Sequence, residues 1–546
     1  MKNHMAAGWF YSPEQIQRYF MTRVSSLKPP KTELKNPYRI LRELDSHQWL
    51  MFGVGFIAWV WDAFDFFTVS LTITEIATEF GVTNSEVSWA KNLSNIYVQG
   101  LTVTLMLRSV GAIIFGLFAD RYGRKWPMIV NLALFVFLEL GSGFCHNLTQ
   151  FLAVRSLYGI AMGGLFGPAA ATAMEDLPYD ARGIASGLFQ QGYGAGYMLA
   201  AIFYRAFVPT TKYGWRSLFW FGSAPPILII IWRWCLPETR HFQVMKAERE
   251  SRILAEEAAL QHSVTPETAP KSRMSGLRAF WKESAPGLKE NWFLMVYLVV
   301  IMTGFNSCSH GSQDFYPTFL KDQVGKTATQ TTVIVVAGSL GGVIGGTLIG
   351  WISSFLGRRL TMMISCVFGA ALIPAYILPR SNALIASSFW QQWFIGGVWG
   401  PIPIYLSELS PQSLRGLLVG LTYQLGNLAS SASATIQAII GERFPLPDGP
   451  HGKKRFDYGK VMAIFMGAVW VFLLVLLFLG PEMSQEERDE EEAAARELER
   501  LRREGKTLEE IGRERAGLAN VKVLEDEDAK KPATYHMDEV QVDKAV

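Results

Sequence analysis

The sequence predicts an all-α membrane protein with twelve transmembrane helices in two six-helix, pseudo-symmetric halves. Three observations lead to this fold class. The 546-residue chain is 49% hydrophobic and only 18% charged, and apolar segments of about 20 residues, long enough to cross a bilayer, recur along most of it. Charged stretches interrupt the apolar segments at the start, middle and end of the chain. The glycine, proline and charge pattern of the first half recurs in the second.

The composition divides the chain into five regions. Residues 1–47 are predicted to form a cytosolic N-terminal tail, 48–236 a six-helix half, 237–290 a charged cytosolic linker with an amphipathic stretch near 244–260, 291–480 a second six-helix half, and 481–546 a cytosolic C-terminal tail. The first 47 residues are polar and basic, which argues against a cleavable signal peptide. Within the C-terminal tail, residues 485–516 predict one solvated helix.

The apolar segments define the twelve predicted helices, named spans 1–12. In the first half they cover residues 48–72, 95–119, 126–145, 150–172, 183–207 and 216–236, with a polar loop predicted over 73–92. In the second half they cover residues 292–320, 331–356, 360–379, 383–406, 415–441 and 460–480.

Basic residues predict the orientation in the membrane, because cytosolic loops carry an excess of Lys and Arg. Basic clusters lie between spans 2 and 3 and between spans 8 and 9, at 121–125 and 358–359. With an even number of spans, both termini and the linker then lie in the cytosol. A basic cluster at 453–455 would lie on the opposite side and argues against this orientation. The linker, both tails and the short inner loops support it.

An internal repeat relates the two halves. The segment Gly163-Gly-Leu-Phe-Gly-Pro168 corresponds to Gly396-Gly-Val-Trp-Gly-Pro401, an offset of 396 − 163 = 233. The same offset pairs Glu175, Pro178, Arg182, Gly183, Gly187 and Gln191 with Glu408, Pro411, Arg415, Gly416, Gly420 and Gln424. A duplicated six-span unit predicts a cavity between halves that can rock against each other. The glycines are also explained by close helix packing.

A polar stripe lies inside predicted span 7. Its members are spaced at i, i+3, i+4, i+7 and i+8, which places them on one helical face: Asn306, Ser309, His310, Gln313 and Asp314. Ionisable groups inside a membrane are costly and usually face a bundle interior or a water-filled path. The alternative is a polar contact between helices, although such contacts normally need only one or two polar side chains.

Four ionisable residues lie inside the first three spans. Arg108 on span 2 is the candidate for holding an anion, because a guanidinium stays charged and binds a carboxylate through two donors. Its alternative role is an ion pair with Asp62, Asp65 or Glu139. These three acids are candidates for proton coupling, together with His310 and Asp314, since His titrates near neutral pH and Asp314 lies one turn away.

Span 11 carries neutral hydrogen-bonding groups on one face, at Gln424, Asn427 and Ser431. Alone, this stripe fits packing as well as binding; beside Arg108 and the span 7 stripe, substrate binding is the better interpretation. Aromatic residues of span 5 are weaker candidates for sizing the pocket, because lipid-facing and packing roles are common for such side chains: Phe189, Tyr193 and Tyr197.

Other classes of protein are less consistent with the sequence. The net charge of +3 is small, and nothing indicates nucleic-acid binding. The four cysteines are far apart in apolar segments, so neither a disulfide nor a metal site is expected. No motif for a phosphate loop, a nucleophile elbow or a metal cluster is evident, so an enzyme and a cofactor are not expected.

The loop between spans 2 and 3 carries a family motif. Gly116-Leu-Phe-Ala-Asp120-Arg121-Tyr-Gly-Arg124-Lys125 resembles the signature of the major facilitator superfamily. The resemblance covers about residues 48–480 and implies alternating access with a cytosolic gate. The gating candidates are Asp120, Arg121, Arg124, Glu175, Arg182, Glu408 and Arg415. In the second half Ser354 stands where Asp120 stands in the first, so that half is expected to lack this ion pair.

Span 7 carries a narrower resemblance. Asn306-x-x-Ser309-His310-x-Ser312-Gln313-Asp314-x-x-x-Thr318 is similar to the motif of fungal Jen-type carboxylate:proton symporters, in the sialate:proton symporter group. The resemblance implies uptake of lactate, pyruvate, acetate or propionate, or of dicarboxylates, with protons across the plasma membrane. It implies substrate binding by Asn306, His310, Gln313, Arg108, Gln424 and Asn427, with Asp314 beside them.

Two further readings stay open at this point. One is a transporter of another solute, such as a sugar acid or a sugar, although a neutral sugar would not need Arg108. The other is a nutrient receptor on a transporter scaffold, which would bind ligand without moving it. Lysines in both tails are candidate ubiquitin acceptors, so ubiquitin-dependent trafficking machinery is a candidate partner.

Overall fold

The computed structural model describes residues 17, 19, 21–27, 29, 35–81, 100–263, 289, 291–313, 315–411, 414–447, 455–483 and 485–517. Their contacts separate two compact units. The larger unit comprises Met1–Thr239 and Arg273–Glu492, and the smaller unit comprises Arg240–Ser272 and Ala493–Val546.

Each predicted span of the first half is present as one helix or as two consecutive helices. Spans 1, 2 and 3 are the helices Ser46–Phe80, Gly100–Tyr122 and Lys125–Gly143. Spans 4, 5 and 6 are interrupted, as Leu148–Gly163 with Phe166–Met174, Tyr179–Gln190 with Gly192–Phe207, and Trp215–Ser223 with Pro225–Cys235.

The second half follows the same plan. Spans 7 and 8 are the helices Trp292–Gln313 and Ala328–Leu356, and span 12 is Tyr458–Leu479. Spans 9, 10 and 11 are interrupted, as Arg358–Ala371 with Ile373–Ile377, Ala383–Trp399 with Ile402–Leu409, and Arg415–Ser430 with Ser433–Glu442. Before span 12, the two-residue strands β1 (Pro445–Leu446) and β2 (Arg455–Phe456) pair antiparallel. Within the described residues, seven helical segments are long and apolar enough to cross a membrane.

Span 1 is longer than predicted. Its helix continues to Phe80, so the loop prediction over 73–92 is wrong for residues 73–80. The extra turns are stabilised by partners in the same half. The Glu79 carboxylate accepts hydrogen bonds from Trp215 Nε1 at 2.6 Å and from Arg216 at 2.7 Å. Glutamate in this helical extension therefore links span 1 to the start of span 6.

Span 7 is shorter than predicted, and the C-terminal tail is not one helix. The span 7 helix ends at Gln313, and a short turn at Tyr316–Thr318 leads into a π-helical segment at Phe319–Gln323. In the tail, the helix Gln485–Arg503 stops near Gly505, whose φ of 92° is readily adopted only by glycine. A second helix covers residues 508–517.

The smaller unit joins the linker to the end of the chain. Its linker helix is Arg240–Ser263. A Cβ atom at Gly512 would lie 2.6 Å from the carbonyl oxygen of Val244 and 2.7 Å from Cβ of Ala247, so these two helices approach at backbone distance. Ile511 is fully buried beside this contact. The linker and tail residues thus form a small helical core of their own.

The larger unit has two ends, named here by what they carry. The tail side holds the start of span 1 and the loops that follow spans 2, 4, 8 and 10. The loop side holds the ends of spans 1, 3, 5, 7 and 11. Glycines bring the halves together on the tail side: a Cβ atom at Gly183 or Gly187 would lie 2.6 Å from the carbonyl oxygen of Gly350 or Gly346 on span 8. Close approach of this kind is typical of helices packed in a membrane.

Candidate functional site

Arg108 lies buried between spans 1, 2 and 4, with 5% of its surface exposed. Span 4 approaches closely here, because a Cβ atom at Gly163 would lie only 1.8 Å from the carbonyl oxygen of Arg108. One guanidinium nitrogen donates to the sulfur of Met162 and lies 3.9 Å from Oδ2 of Asp62. The guanidinium carbon sits 5.0 Å from the ring centre of Phe66.

This cation is incompletely satisfied by its neighbours. Thioether sulfur is a weak acceptor, and 3.9 Å is too long for a hydrogen bond to Asp62. Within the described residues, Nε of Arg108 and Oδ1 of Asp62 have no hydrogen-bond partner. Leaving a buried polar group without a partner costs about 1–3 kcal/mol, and more when it is charged. The arrangement is suited to an anion that completes the guanidinium's hydrogen bonds.

The other two acids of the first half have different partners. Glu139 of span 3 accepts a hydrogen bond from Arg155 of span 4 at 2.7 Å, and both side chains are buried. Asp65 accepts a hydrogen bond from the hydroxyl of Tyr158 at 2.6 Å. Among the described residues, Asp62 is the one of these three acids that lies near Arg108.

The span 7 stripe becomes more exposed along its length. Asn306 is buried, Ser309 and His310 are half-buried, and Gln313 is exposed at the loop side. The Ser309 hydroxyl accepts a hydrogen bond from Trp399 Nε1 of span 10 at 2.8 Å. This gradient indicates that the polar face opens toward the loop side.

The other hydrogen bonds of the span 7 stripe are made by amide side chains. The side chain of Asn306 donates to the carbonyl of Met302 in its own helix at 2.9 Å, and Gln313 donates to Gln392 of span 10 at 3.2 Å. The carbonyl of His310 accepts from Gln437 of span 11 at 3.4 Å. The predicted member Asp314 lies outside the described residues.

Span 11 presents its polar face beside span 7. Gln424 is 1% exposed, and its Oε1 has no hydrogen-bond partner within the part of the chain that the structure describes. Asn427 and Ser431 are half-buried. A Cβ atom at Gly426 would lie 2.4 Å from Cβ of Met302, so glycine lets spans 7 and 11 approach closely. An orphaned amide oxygen at this position can accept a hydrogen bond from a ligand or a protonated side chain.

Aromatic side chains join the halves next to Arg108. Trp59 lies one turn before Asp62, and its ring contacts Phe166 of span 4 and Tyr423 of span 11 at centroid distances of 4.9 and 5.9 Å. Phe166 stacks on Tyr423 with their ring centres 4.0 Å apart. Neither Trp59 nor Tyr423 was predicted from the sequence; for Trp59 the available signal was its spacing of three residues from Asp62, and for Tyr423 there was none.

The tail-side contacts use the motif after span 2. Both carboxylate oxygens of Asp120 accept backbone hydrogen bonds at 2.8 Å, from Gly416 and Leu417 at the start of span 11. Arg124 lies 2.6 Å from Glu175 and 3.6 Å from Asp120. An acid at a helix N-terminus satisfies free N–H groups and complements the helix dipole. Asp120 therefore fastens the first half directly to the second.

The second half repeats this arrangement without the acid. Arg358 pairs with Glu408 at 2.9 Å, and Ser354 accepts a hydrogen bond from the same guanidinium at 3.2 Å. A Cβ atom at Gly183, at the start of span 5, would lie 2.1 Å from the Ser354 hydroxyl. Ser354 thus occupies the place opposite span 5 that Asp120 occupies opposite span 11.

The remaining gating candidates lie on the same side. Arg182 Nε donates to the carbonyl of Leu177 at 3.0 Å, Arg415 begins the span 11 helix and is buried, and the Arg121 guanidinium lies 5.1 Å from the ring centre of Tyr122. Their recorded contacts fit tail-side packing.

Two glutamates on the tail side were not predicted from the sequence. Glu238 follows span 6 and accepts the backbone N–H of Lys125 at 2.9 Å. Glu482 follows span 12 and accepts the backbone N–H of Arg358 at 2.6 Å. Each acid caps the start of span 3 or span 9, and the Pro-Glu dipeptide after both spans was the signal that predicts the pair.

Comparison with known proteins identifies the class. The model of the family described as "Sugar (and other) transporter" matches residues 54–495. The solved structure of the major facilitator superfamily proton:xylose symporter XylE, bound to 6-bromo-6-deoxy-D-glucose, superimposes with a TM-score of 0.57 at 16% identity, over 82% of this chain and 99% of that one. The chain belongs to this family of major facilitator transporters, whose fold has twelve spans.

Three individual proteins are also similar to this chain in sequence. The chain is 36% identical over 537 residues to a "Carboxylic acid transporter protein homolog" of Saccharomyces cerevisiae, covering 97% of this chain and 84% of that protein. It is 24% identical to the "Cis,cis-muconate transport protein" of Acinetobacter baylyi, with 78% and 95% covered, and 26% identical to the "Sialic acid transporter NanX" of Escherichia coli, with 78% and 92% covered. The family and these relatives are transporters, not enzymes.

Proposed function

We propose that this chain is a proton-coupled symporter that carries small carboxylates, such as lactate, pyruvate or acetate, by alternating access. The observation that carries the proposal is Arg108: a buried cation whose Nε has no hydrogen-bond partner among the described residues, and whose neighbouring carboxylate, on Asp62, lies 3.9 Å away, too far for a hydrogen bond. A neutral sugar would not offset the cost of burying this charge, whereas a carboxylate would. The names of the relatives that transport carboxylic acid, muconate or sialic acid support the same class of substrate.

Asp62 supplies a route for coupling in this proposal. In the empty protein, the Asp62 carboxylate partly balances the charge of Arg108 at 3.9 Å. A proton on Asp62 removes that balance, so the substrate carboxylate binds Arg108 in its place. Proton and anion then bind together, and loss of either one weakens the binding of the other.

The neutral groups of the second half complete the site. Gln424 and Asn427 on span 11 face the substrate together with Asn306, His310 and Gln313 on span 7. Their amides hydrogen-bond the substrate's oxygen atoms without adding charge. His310 is a second candidate for the proton, with Asp314 beside it in sequence, and Asp65 and Glu139 are a third.

The tail-side contacts provide the moving part. While the ion pairs Arg124–Glu175 and Arg358–Glu408 brace the loop within each half, the hydrogen bonds from span 11 to Asp120 hold the tail side closed and the polar face opens to the loop side. Separation of these contacts opens the tail side, which is the cytosolic side if the basic loops set the orientation. In this proposal the protein lies in the plasma membrane, and both of its termini lie in the cytosol.

Uptake measurements test the proposal. Cells that lack other carboxylate transporters would express the protein, and radiolabelled lactate uptake would be measured with and without a protonophore. Wild-type uptake is expected to collapse with the protonophore. Arg108→Ala should abolish uptake, Arg108→Lys should retain a fraction with a raised KM, and Arg205→Ala, which removes an exposed arginine outside the site, should match the wild type.

Each outcome has a defined meaning. Uptake that persists in Arg108→Ala removes the anion-binding assignment. A well-expressed wild type that ignores lactate is next tested with succinate and malate, and then with sugar acids. Binding without uptake of any of these acids favours the receptor alternative.

A further inference from the structure

Span 10 is interrupted at Gly400 and Pro401, and a side chain from the other half occupies the interruption. Its helices Ala383–Trp399 and Ile402–Leu409 flank Gly400 and Pro401. In a continuous helix the N–H of Ile404 would donate to the carbonyl of Gly400, four residues earlier. Here the N–H of Ile404 donates to the hydroxyl of Ser186 at 3.1 Å, and that hydroxyl donates to the carbonyl of Gly400 at 2.7 Å. Ser186 is thus inserted into the helical hydrogen-bond ladder of span 10.

The insertion is made possible by the face of span 5 on which Ser186 lies. Gly183 and Gly187 flank it and bring span 5 to backbone distance from span 8. Ser186 itself is fully buried. Because Ser186 belongs to the first half and Gly400 to the second, both hydrogen bonds require the halves to be together on the tail side. When the halves separate, water replaces all three partners.

The repeat contains no equivalent hydroxyl. The offset of 233 places Val419 of span 11 at the position of Ser186, and places Gly167 of span 4 at the position of Gly400. Val419 is buried at 3% exposure but can neither donate nor accept. The hydroxyl is therefore specific to the contact between spans 5 and 10 and is not a general requirement of the fold.

The break also adjoins the proposed substrate face. Trp399 is the residue before Gly400, and its indole donates to Ser309 on the span 7 stripe at 2.8 Å. A change in the backbone at Gly400 therefore shifts the backbone of Trp399 and, with it, the indole ring. Tail-side closure and the arrangement of span 7 are consequently joined through two adjacent residues of one helix.

We infer that Ser186 is a positioning residue for transport, whose hydroxyl bridges the break in span 10 only when the tail side is closed and so favours the loop-side-open state. Removing the hydroxyl leaves the Gly400 carbonyl and the Ile404 N–H buried without a partner in the closed state. Removing the hydroxyl costs nothing in the tail-side-open state, where water reaches the Gly400 carbonyl and the Ile404 N–H. The equilibrium then shifts toward tail-side opening by about tenfold.

Cysteine labelling measures this equilibrium without any transported substrate, so it is independent of the carboxylate assignment. In a background with the four native cysteines replaced, Leu417→Cys reports on the tail side, where Leu417 is buried at 4% exposure, and Tyr197→Cys reports on the loop side, where Tyr197 is 44% exposed. A membrane-impermeant maleimide is applied to each side of sealed vesicles. Ser186→Ala is added to each reporter, and Val419→Ala is the matched control.

The expected result is a change of opposite sign at the two reporters. Ser186→Ala should raise the tail-side labelling rate about fivefold and lower the loop-side rate, whereas Val419→Ala should change neither by more than about twofold. A rise at both reporters would mean general loosening and would overturn the inference. Unchanged rates, or equal effects of Ser186→Ala and Val419→Ala, would also overturn it.

Discussion

The two halves share a scaffold but differ in their chemistry. The first half places buried ionisable groups at Asp62, Asp65, Arg108, Glu139 and Arg155, whereas the described polar groups facing them from spans 7 and 11 are mostly amides and hydroxyls. On the tail side the difference is smaller, a carboxylate at Asp120 against a hydroxyl at Ser354. Residues that set the helix packing thus keep the repeat, whereas these polar groups differ: they are ionisable in the first half, named here the charged wall, and mostly neutral in spans 7 and 11, named the neutral wall.

The largest expected effect concerns the charged wall. Asp62→Asn leaves Arg108 without its neighbouring carboxylate and removes the proposed proton site, so exchange of labelled for unlabelled lactate should persist while proton-driven accumulation falls at least about 100-fold. The measurement compares exchange with net uptake in vesicles. Full accumulation in Asp62→Asn would exclude Asp62 from coupling and direct attention to His310.

A second prediction separates structural from functional charges. Glu139→Gln leaves Arg155 buried without its anion, which should lower the free energy of unfolding by about 3–5 kcal/mol. Replacing both residues, as Glu139→Gln with Arg155→Met, should recover most of that loss. Thermal unfolding in detergent, together with uptake at matched expression, distinguishes the cases: recovered stability without recovered uptake would assign this pair to transport.

The third prediction makes the halves alike on the tail side. Asp120→Ser gives the first half the residue of the second and removes two charge-assisted hydrogen bonds to span 11, each contributing about 1.5–3 kcal/mol. Tail-side labelling at position 417 should rise by about tenfold or more. Ser354→Ala, the matched change in the second half, should have a smaller effect, and the comparison fails if the two are equal.

The smallest expected effect lies in the neutral wall. Gln424→Ala removes one amide, and the loss of one neutral hydrogen bond of about 1 kcal/mol corresponds to a rise in KM of about fivefold. The kcat should change little, because in the proposed site the amide binds substrate equally in the loop-side-open and the tail-side-open states. A collapse of kcat would instead place Gln424 in the moving contacts between halves.

The sequence predicts the fold well because membrane spans and an internal repeat are local or periodic patterns. Apolar length determines the spans, and the offset of 233 relates spans 4 and 5 to spans 10 and 11. The extension of span 1 to Phe80 was missed, because the Glu79 carboxylate is satisfied by Trp215 and Arg216, which are distant in sequence. Composition alone made that stretch a loop.

The sequence predicted which residues belong to the candidate site better than it predicted which of them contact one another. Arg108 and the acids are recognised as intramembrane charges, but three acids were equal candidates as its partner. Only the three-dimensional packing shows that Asp65 is bound by Tyr158 and Glu139 by Arg155. The roles of the substrate and proton residues stay predictions. Ser186 gave no signal, because a serine bridging a broken helix looks like any other serine in a sequence.

The location of the charges has a consequence for the membrane potential. Moving one elementary charge across 100 mV changes the free energy by about 2.3 kcal/mol. In the proposed mechanism, ionised Asp62 with Arg108 carries no net charge when the site is empty, and protonated Asp62 with Arg108 and a bound monocarboxylate carries none either. With one proton for each monocarboxylate, both legs of the cycle are electroneutral. The gradient of protons, and not the voltage, then sets how far the substrate accumulates.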